Sequence, residues 1–175
     1  MLTAEKNRLQ SPSASLVRPS VIKMIDLLQT EIQEIPQQIQ SLIDSIPVLK
    51  EPHTRLKTIP GIGPVIAAQL LVLMPELGHL SRREVASLAG LAPIANDSGR
   101  KNAYRRTGYG RQGIKPLLFL AAMAARNTKN SCLRLFYDRL ISNGNPKMVP
   151  LTALARKILT IANAKIKSHL FLIHG

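Results

Sequence analysis

The fold of this chain is decided by the stretch TIPGIGPVIAA, residues 58–68. Its two glycines, Gly61 and Gly63, permit a tight turn that other residues disfavour. Pro64 suits the first position of a helix, because that position needs no backbone N–H donor. The stretch therefore predicts two helices joined by a short turn, with the N–H groups of Gly61, Ile62 and Gly63 available to an anion. The alternative is a turn that only joins the two helices.

Further helices are predicted on the C-terminal side of this turn. Their spans run from Pro64 to about Met74, from Ser81 to near Gly90 with a capping box to Glu84, from Pro116 to about Arg126, from Ser131 or Cys132 to Ser142 with Gly144 as C-cap, and from Leu151 to Lys167. Residues 92–113, with four glycines, read as irregular. The chain has no Trp and only three Phe and three Tyr, so its core is aliphatic, which favours helices. We predict an all-α, multi-helix domain over residues 51–175.

A helical arm is predicted before this domain. Apolar residues spaced alternately four and three apart are typical of a coiled-coil seam, and here they are Val21, Ile25, Leu28, Ile32, Ile35, Ile39, Leu42 and Ile46. We predict a flexible lead-in over residues 1–15, a coiled-coil-like arm over residues 16–50, and a homo-oligomer formed through residues 21–46. Pro36 predicts a kink or break, so a helical hairpin and a bent pairing arm are both open. An amphipathic helix packed on its own domain is the alternative.

The net charge of +14 is concentrated at one end of the chain. Residues 98–175 hold fifteen Lys or Arg and a single acid, Asp138, whereas residues 1–97 hold nine residues of each sign. Such a field attracts polyanions, of which nucleic acid is the commonest, with a membrane surface as the other candidate. The apolar runs are shorter than the roughly 20 residues that a bilayer requires, and the N-terminus lacks a signal-peptide pattern. We expect a DNA partner, no membrane and a cytoplasmic location.

Two features place the expected DNA contacts. The 58–68 stretch resembles the helix-hairpin-helix element of DNA-handling proteins, which holds backbone phosphates without reading bases. Ser98 precedes six basic residues between Arg100 and Lys115, and a serine attacks phosphorus when a base takes its proton and cations hold the developing charge. Composition alone favours Ser98 as a turn residue beside Asp97 and Gly99.

Several strings occur in an order that carries a family resemblance. They are PGIG at 60–63, GLAP at 90–93, DSG at 97–99, LLFLAAMAARN at 117–127, LRLFYDRL at 133–140, NGNPK at 143–147 and LTALARKILTIANAKIK at 151–167. From about Leu56 to Lys167 the chain resembles the C-terminal domain of the insertion sequence 110 family of transposases. These bacterial proteins are RNA-guided serine recombinases with a separate RuvC-like nuclease domain. Residues 16–50 are similar to the coiled-coil linker of that family.

The resemblance implies a site and partners. Ser98 matches the family's catalytic nucleophile, and DNA phosphates are implied as the partners of Arg100, Lys101, Arg105, Arg106 and Arg111, with Lys115 in the same basic stretch. A structured guide RNA and a place at the nucleoid are implied as well. Relatives often carry Gly-Gly-Arg where this chain has Tyr109-Gly110-Arg111, which puts the conformation at Tyr109 and the direction of Arg111 in question.

The family's metal-binding carboxylates have no counterpart cluster in residues 1–97. We therefore expect no cofactor in this chain, magnesium only together with a nuclease domain that this chain lacks, and DNA binding with poor cleavage. The alternative function is a non-catalytic helix-hairpin-helix DNA or RNA binder, or a regulatory fragment of a transposase. Cys132 is expected to be a buried structural thiol, and the four histidines are expected in exposed or capping positions.

Overall fold

The computed structural model describes residues 1–11, 16–94, 106–129 and 131–174, with only the backbone described for Ile94, Arg106, Ile173 and His174. Its elements are α1 (Leu2–Leu9), α2 (Arg18–Asp44), α3 (Pro47–Lys57), α4 (Pro64–Leu73), α5 (Arg82–Leu88), β1 (Pro93–Ile94), β2 (Arg106–Thr107), α6 (Ile114–Asn127), α7 (Cys132–Ser142) and α8 (Met148–His174). The predicted all-α fold is confirmed, with one two-residue ladder as the strand content of the described part. None of the described helices is long and apolar enough to cross a membrane.

The chain divides into two compact units, residues 1–45 and residues 46–175. In the first unit α1 packs against α2 and the side chains of Val21 and Ile25 are buried. The helix at Leu2–Leu9 differs from the predicted flexible lead-in. Its residues are mostly good helix formers and include an ion pair between Glu5 and Arg8, whereas Pro12 and the serines lie beyond its end.

Helix α2 continues through Pro36, so the break that the proline predicted does not occur. Along the predicted seam, Ile32 is 55% exposed and Leu42 is 62% exposed, so the described residues of the first unit leave this part of the seam uncovered. A pairing coiled coil stays a prediction.

The second unit is built around α8. This helix packs against α3, α5, α6 and α7, and α6 also packs against α4. The inward side chains of α8 are fully or nearly fully buried at Leu154, Ala155, Ile158, Leu159, Ala162 and Ile166. Buried Asn163 joins them with both amide ends satisfied: its Oδ1 accepts from Gly78 N–H at 2.8 Å, and its Nδ2 donates to Leu80 O at 2.8 Å. The turn between α4 and α5 is thereby fixed to α8.

The predicted helix ends are confirmed where local chemistry sets them. Ser81 and Glu84 form the capping box of α5, Ser131 caps α7, and Gly144 has a φ of +77° after α7. The C-terminal helix is longer than predicted at both ends. Cys132 is exposed, so the prediction of a buried thiol was wrong. Cys132 is the first residue of α7, next to the cap Ser131. Its neighbour Leu133 is buried, whereas Cys132 faces solvent.

Candidate nucleic-acid interface

The turn between α3 and α4 packs directly on the backbone of α6. Gly61 has a φ of +90°, and a Cβ atom there would overlap the carbonyl oxygen of Ala121 and lie 2.9 Å from the Cβ of Ala125. Glycine is therefore needed at this position both for its conformation and for space. The predicted arrangement of helix, short turn and helix is present, whereas phosphate binding by this turn remains a prediction.

The three predicted backbone donors of the turn differ in their surroundings. The N–H of Ile62 donates to Ile59 O at 3.0 Å, and the Ile62 side chain is buried in the core. Gly63 is extended, caps α4, and has no other atom within 4 Å of an added Cβ. The N–H groups of Gly61, Gly63, Val65 and Ile66 have no acceptor in the described part of the chain. The open donors therefore lie at Gly61 and around the start of α4, where the α4 dipole favours an anion.

A lysine from the far end of the sequence reaches this turn. The Nζ of Lys165, on α8, donates to Thr58 Oγ1 at 2.7 Å. No carboxylate pairs with Lys165 among the ion pairs of the described residues, so the contact brings an unneutralised charge to the turn. Sequence reasoning missed this residue because 107 positions separate it from Thr58 and no local pattern marks it.

Behind the turn lies a histidine that the sequence analysis placed wrongly. His53 was expected in an exposed turn, but it lies within α3 and is fully buried. Its Nε2 lies 3.0 Å from Pro64 O, and its Nδ1 has no hydrogen-bond partner in the described structure. The sequence predicted a helix before the turn but not its bounds, because Pro47 and Pro52 interrupt the pattern, although Pro47 in fact begins the helix. His53 joins the two helices from the inside.

The basic segment that contains Ser98 begins and ends at a short antiparallel ladder. Pro93 pairs with Thr107, and Ile94 pairs with Arg106. Ser98, Arg100, Lys101 and Arg105 lie outside the described residues, as does the Arg106 side chain. The covalent chain alone confines the Cα of Ser98 to within about 14 Å of the Cα of Ile94, since four residues separate them. The ladder therefore fixes the positions of the two described ends of the segment that contains Ser98.

Two glycines bring the flanks of this segment together. A Cβ on Gly110 would overlap the backbone nitrogen of Gly90, so the two backbones touch. Beside them, the Arg111 N–H donates to Leu88 O at 2.8 Å. Tyr109 has a φ of +50° and is 93% exposed. The backbone of Tyr109 therefore adopts the left-handed conformation that glycine prefers, although the residue is not glycine.

The predicted DNA contact Arg111 is engaged within the protein. Its guanidinium donates to both carboxylate oxygens of Glu76, at 2.5 and 3.0 Å, and to Leu73 O at the C-terminal end of α4. The Arg111 hydrogen bonds hold the pKa of the Glu76 carboxyl below its usual value of 4.5. These contacts give Arg111 a structural role, and a DNA contact by the same residue remains untested.

Lys115, the last predicted DNA contact, lies in the first turn of α6. Its Nζ donates to the carbonyl oxygen and the hydroxyl of Thr107, at 3.1 and 3.0 Å. Neither acceptor is charged, so the ammonium keeps its full positive charge at the end of the ladder. The structure thus brings Lys115 close to the flanks of the Ser98 segment, whereas the α3–α4 turn contacts a later part of α6, near Ala121.

A magnesium site is not formed by the described residues, which contain no group of three or more His, Cys, Asp or Glu side chains arranged for a metal. The groups that these residues offer to a phosphate are cations and backbone N–H donors, which bind the anion directly. Magnesium held by a separate nuclease domain stays a prediction.

The sequence model described as the Transposase IS116/IS110/IS902 family matches residues 53–138. The "Pilin gene-inverting protein" of Moraxella lacunata is 32% identical over 142 residues, which cover 79% of this chain and 44% of that protein. The "Insertion element IS900 uncharacterized 42 kDa protein" of Mycobacterium paratuberculosis is 27% identical over 161 residues, covering 89% of this chain and 39% of the relative. The chain thus spans less than half the length of these relatives. The match agrees with the order of strings described above, and the chain belongs to the IS116/IS110/IS902 family of transposases.

Proposed function

We propose that this chain binds the DNA backbone and supplies the serine nucleophile for strand exchange in transposition or inversion. The observation that carries the proposal is the ladder of β1 and β2 with the Gly90–Gly110 contact, which fixes both flanks of the Ser98 segment to the helical core. A nucleophile must be held in register with the phosphate that it attacks. The relatives' names, which refer to insertion elements and to the inversion of a pilin gene, agree with such a reaction.

In the proposed step, Ser98 Oγ attacks a DNA phosphorus and forms a phosphoserine bond. The phosphorus–oxygen bond to one deoxyribose breaks, and the leaving oxygen takes a proton. A hydroxyl of the partner strand then attacks the phosphoserine, which releases Ser98 and joins the exchanged strands. The negative charge that develops on the phosphoryl oxygens favours nearby cations, and Arg100, Lys101, Arg105, Arg106 and Lys115 are the candidates.

A second DNA contact is proposed at the α3–α4 turn. Gly61, Gly63, Val65 and Ile66 offer N–H donors there, and Lys165 adds a positive charge. Both groups bind phosphates without reading base sequence. Other contacts must then select the target sequence. We propose that a structured guide RNA, which the family resemblance implies, provides this selectivity. The proposed place of the reaction is the nucleoid.

Self-association through α2 is proposed as the third element. Strand exchange requires two DNA segments to be held together, and the exposed seam around Ile32, Ile35 and Leu42 has the spacing of a pairing helix. We propose that the same seam of a second copy of this chain packs against it. Sedimentation of the full chain and of the Ile32→Glu, Leu42→Glu double variant tests this proposal. We expect the full chain to be an oligomer and the double variant to be a monomer. A double variant that stays as oligomeric as the full chain would contradict the proposal.

The test of the serine is a trap for covalent DNA–protein adducts. The chain is incubated with magnesium, DNA carrying the junctions of a family element, and the nuclease half of a full-length family member supplied separately. We expect an adduct that disappears in Ser98→Ala and persists in Ser87→Ala, a matched change at an exposed serine of α5. Strand exchange at the wild-type rate by Ser98→Ala would instead support the non-catalytic binder or regulatory fragment.

A further inference from the structure

A pocket of about 660 Å³ opens beside the ladder that anchors the Ser98 segment. Pro93 and Thr107 line one side of it, Arg82 stands at the start of α5, and α7 and α8 form the rest of the wall. Its volume falls within the range of roughly 300–1,000 Å³ that is typical of sites for small ligands. All of these residues belong to the second compact unit, so the pocket is defined within a single packed body.

Among the described residues, the rim of this pocket carries three cations and no acid. Arg82, Arg156 and Lys157 line it, whereas none of the described lining residues is Asp or Glu. Arg156 and Lys157 are half-buried, and the described structure records no ion pair for either of them. Partial burial of a cation without a counter-charge is costly, and an anionic ligand removes this cost. The rim therefore selects an anion.

The wall of the pocket is apolar and partly aromatic. Leu91, Phe136 and Ile161 line it, and the Nζ of Lys157 lies 4.2 Å from the centroid of the Phe136 ring. This cation–π contact holds the Lys157 ammonium at the junction between the charged rim and the apolar wall. A ligand that fills the whole pocket must be anionic at one end and flat or apolar at the other. A nucleotide has this combination.

The position of the pocket links it to the proposed reaction. Pro93 lines it, and Ser98 follows five residues later, so their Cα atoms are at most about 18 Å apart, which is the length of about five stacked nucleotides in one strand. DNA whose phosphate reaches Ser98 therefore passes close to this opening. Enzymes that act on DNA often bind a nucleotide that has left the base stack.

We propose that this pocket binds one unpaired nucleotide of the DNA strand close to the phosphate attacked by Ser98. The base lies against the half-buried Phe136 and Ile161, and the phosphate of the nucleotide lies against Arg82 and Arg156. This inference rests on the proposed function, because it takes DNA as the ligand. It adds a binding site for an extrahelical base, which backbone contacts alone do not require.

The test compares two fluorescein-labelled DNA duplexes by anisotropy with the full chain. One is fully paired, and the other has the same sequence with a single extrahelical thymidine. We expect the wild-type chain to bind the second duplex roughly tenfold more tightly, in line with the usual contribution of one contacted base. Ala153→Leu, which fills the pocket without changing the charge, and Arg156→Gln, which removes a rim cation, should each abolish this preference.

Lys167→Gln is the matched control, since Lys167 is an exposed cation on the same helix and does not line the pocket. We expect this variant to retain the preference, and all variants to bind the paired duplex within about threefold of wild type. Circular dichroism melting checks that each variant is folded. If Ala153→Leu does not fold, the result for Arg156→Gln alone decides the test.

The possible results separate this inference from the proposed function. If the wild-type chain binds neither duplex, the proposed function itself fails. Equal binding of both duplexes, or a preference that survives in the folded Ala153→Leu and Arg156→Gln variants, overturns the pocket assignment alone. Stronger binding of the corresponding bulged RNA than of the bulged DNA would overturn the choice of DNA as the ligand.

Discussion

Arg111 holds Glu76 through two parallel hydrogen bonds and also binds the Leu73 carbonyl at the end of α4. This arrangement ties the chain that leaves the Ser98 segment to the turn after α4. A guanidinium paired with both oxygens of a carboxylate has a fixed orientation. The Arg111–Glu76 pair therefore holds this flank of the Ser98 segment through side chains, in addition to the backbone contact between Gly90 and Gly110.

The stability provided by this pair should depend on pH. The pKa of Glu76 is lowered chiefly by the Arg111 hydrogen bonds, so the stabilisation is complete above the usual value of 4.5 and is lost as the pH falls through the folded-state pKa. We expect Glu76→Gln to lower the Tm at about pH 7, and to lower it progressively less as the pH falls below the usual pKa of 4.5. A Tm difference that stays constant across this range would contradict the prediction.

The two glycines of the α3–α4 turn should respond differently to alanine. Gly61→Ala should destabilise the fold by roughly 2–4 kcal/mol, because it combines a positive φ with a clash against the α6 backbone. Gly63→Ala should stay within about 1 kcal/mol, since its backbone is extended and space is open around it. Urea unfolding of both variants measures this, and equal losses would show that the turn does not pack as described.

Tyr109 should be replaceable by glycine with a gain in stability. Its left-handed backbone is strained for a non-glycine residue, while its exposed ring contributes little packing. Tyr109→Gly should raise the free energy of unfolding by about 0.5–1 kcal/mol, after the larger entropy of glycine in the unfolded chain is subtracted. Tyr109→Ala is the control and should give no gain, because it keeps the strain. A loss of stability in Tyr109→Gly would mean that the ring has a packing role.

Local sequence signals predicted much of this fold. The capping box at Ser81, the serine cap at Ser131 and the glycine after α7 depend on neighbouring residues, and the helix ends follow from them. Cys132 was misjudged because apolar neighbours in sequence do not reveal which face of a helix meets the core. His53 was misjudged for a related reason, since the prolines around it concealed where helix α3 begins and which of its faces is buried.

The candidate site was predictable only in part. The glycine pattern marked the α3–α4 turn, and the family resemblance marked Ser98. The contact of Lys165 with Thr58 and the pairing of Arg111 with Glu76 depend on tertiary packing between distant segments, which no local pattern encodes. The pocket at Arg156 and Lys157 belongs to the same category, because its walls come from five separate elements, α5, β1, β2, α7 and α8.

Lys165 should contribute to DNA binding through the α3–α4 turn. Lys165→Gln should weaken binding to a paired duplex and reduce the slope of log affinity against log salt by about 0.9, the value for one phosphate contact. Lys167→Gln, two residues further along α8 and exposed, should leave the slope nearly unchanged. Equal effects of the two changes would indicate a general charge effect and not a contact at the turn.

The central claim is that this chain binds the phosphate backbone of DNA. Fluorescence anisotropy of the full chain with a paired DNA duplex, measured across a salt series, tests this claim most directly. We predict tight binding at low salt, with log affinity falling linearly against log salt at a slope of roughly −4 to −7, as expected for several phosphate contacts. A chain that fails to bind at low salt, or whose affinity is independent of salt, would contradict the claim.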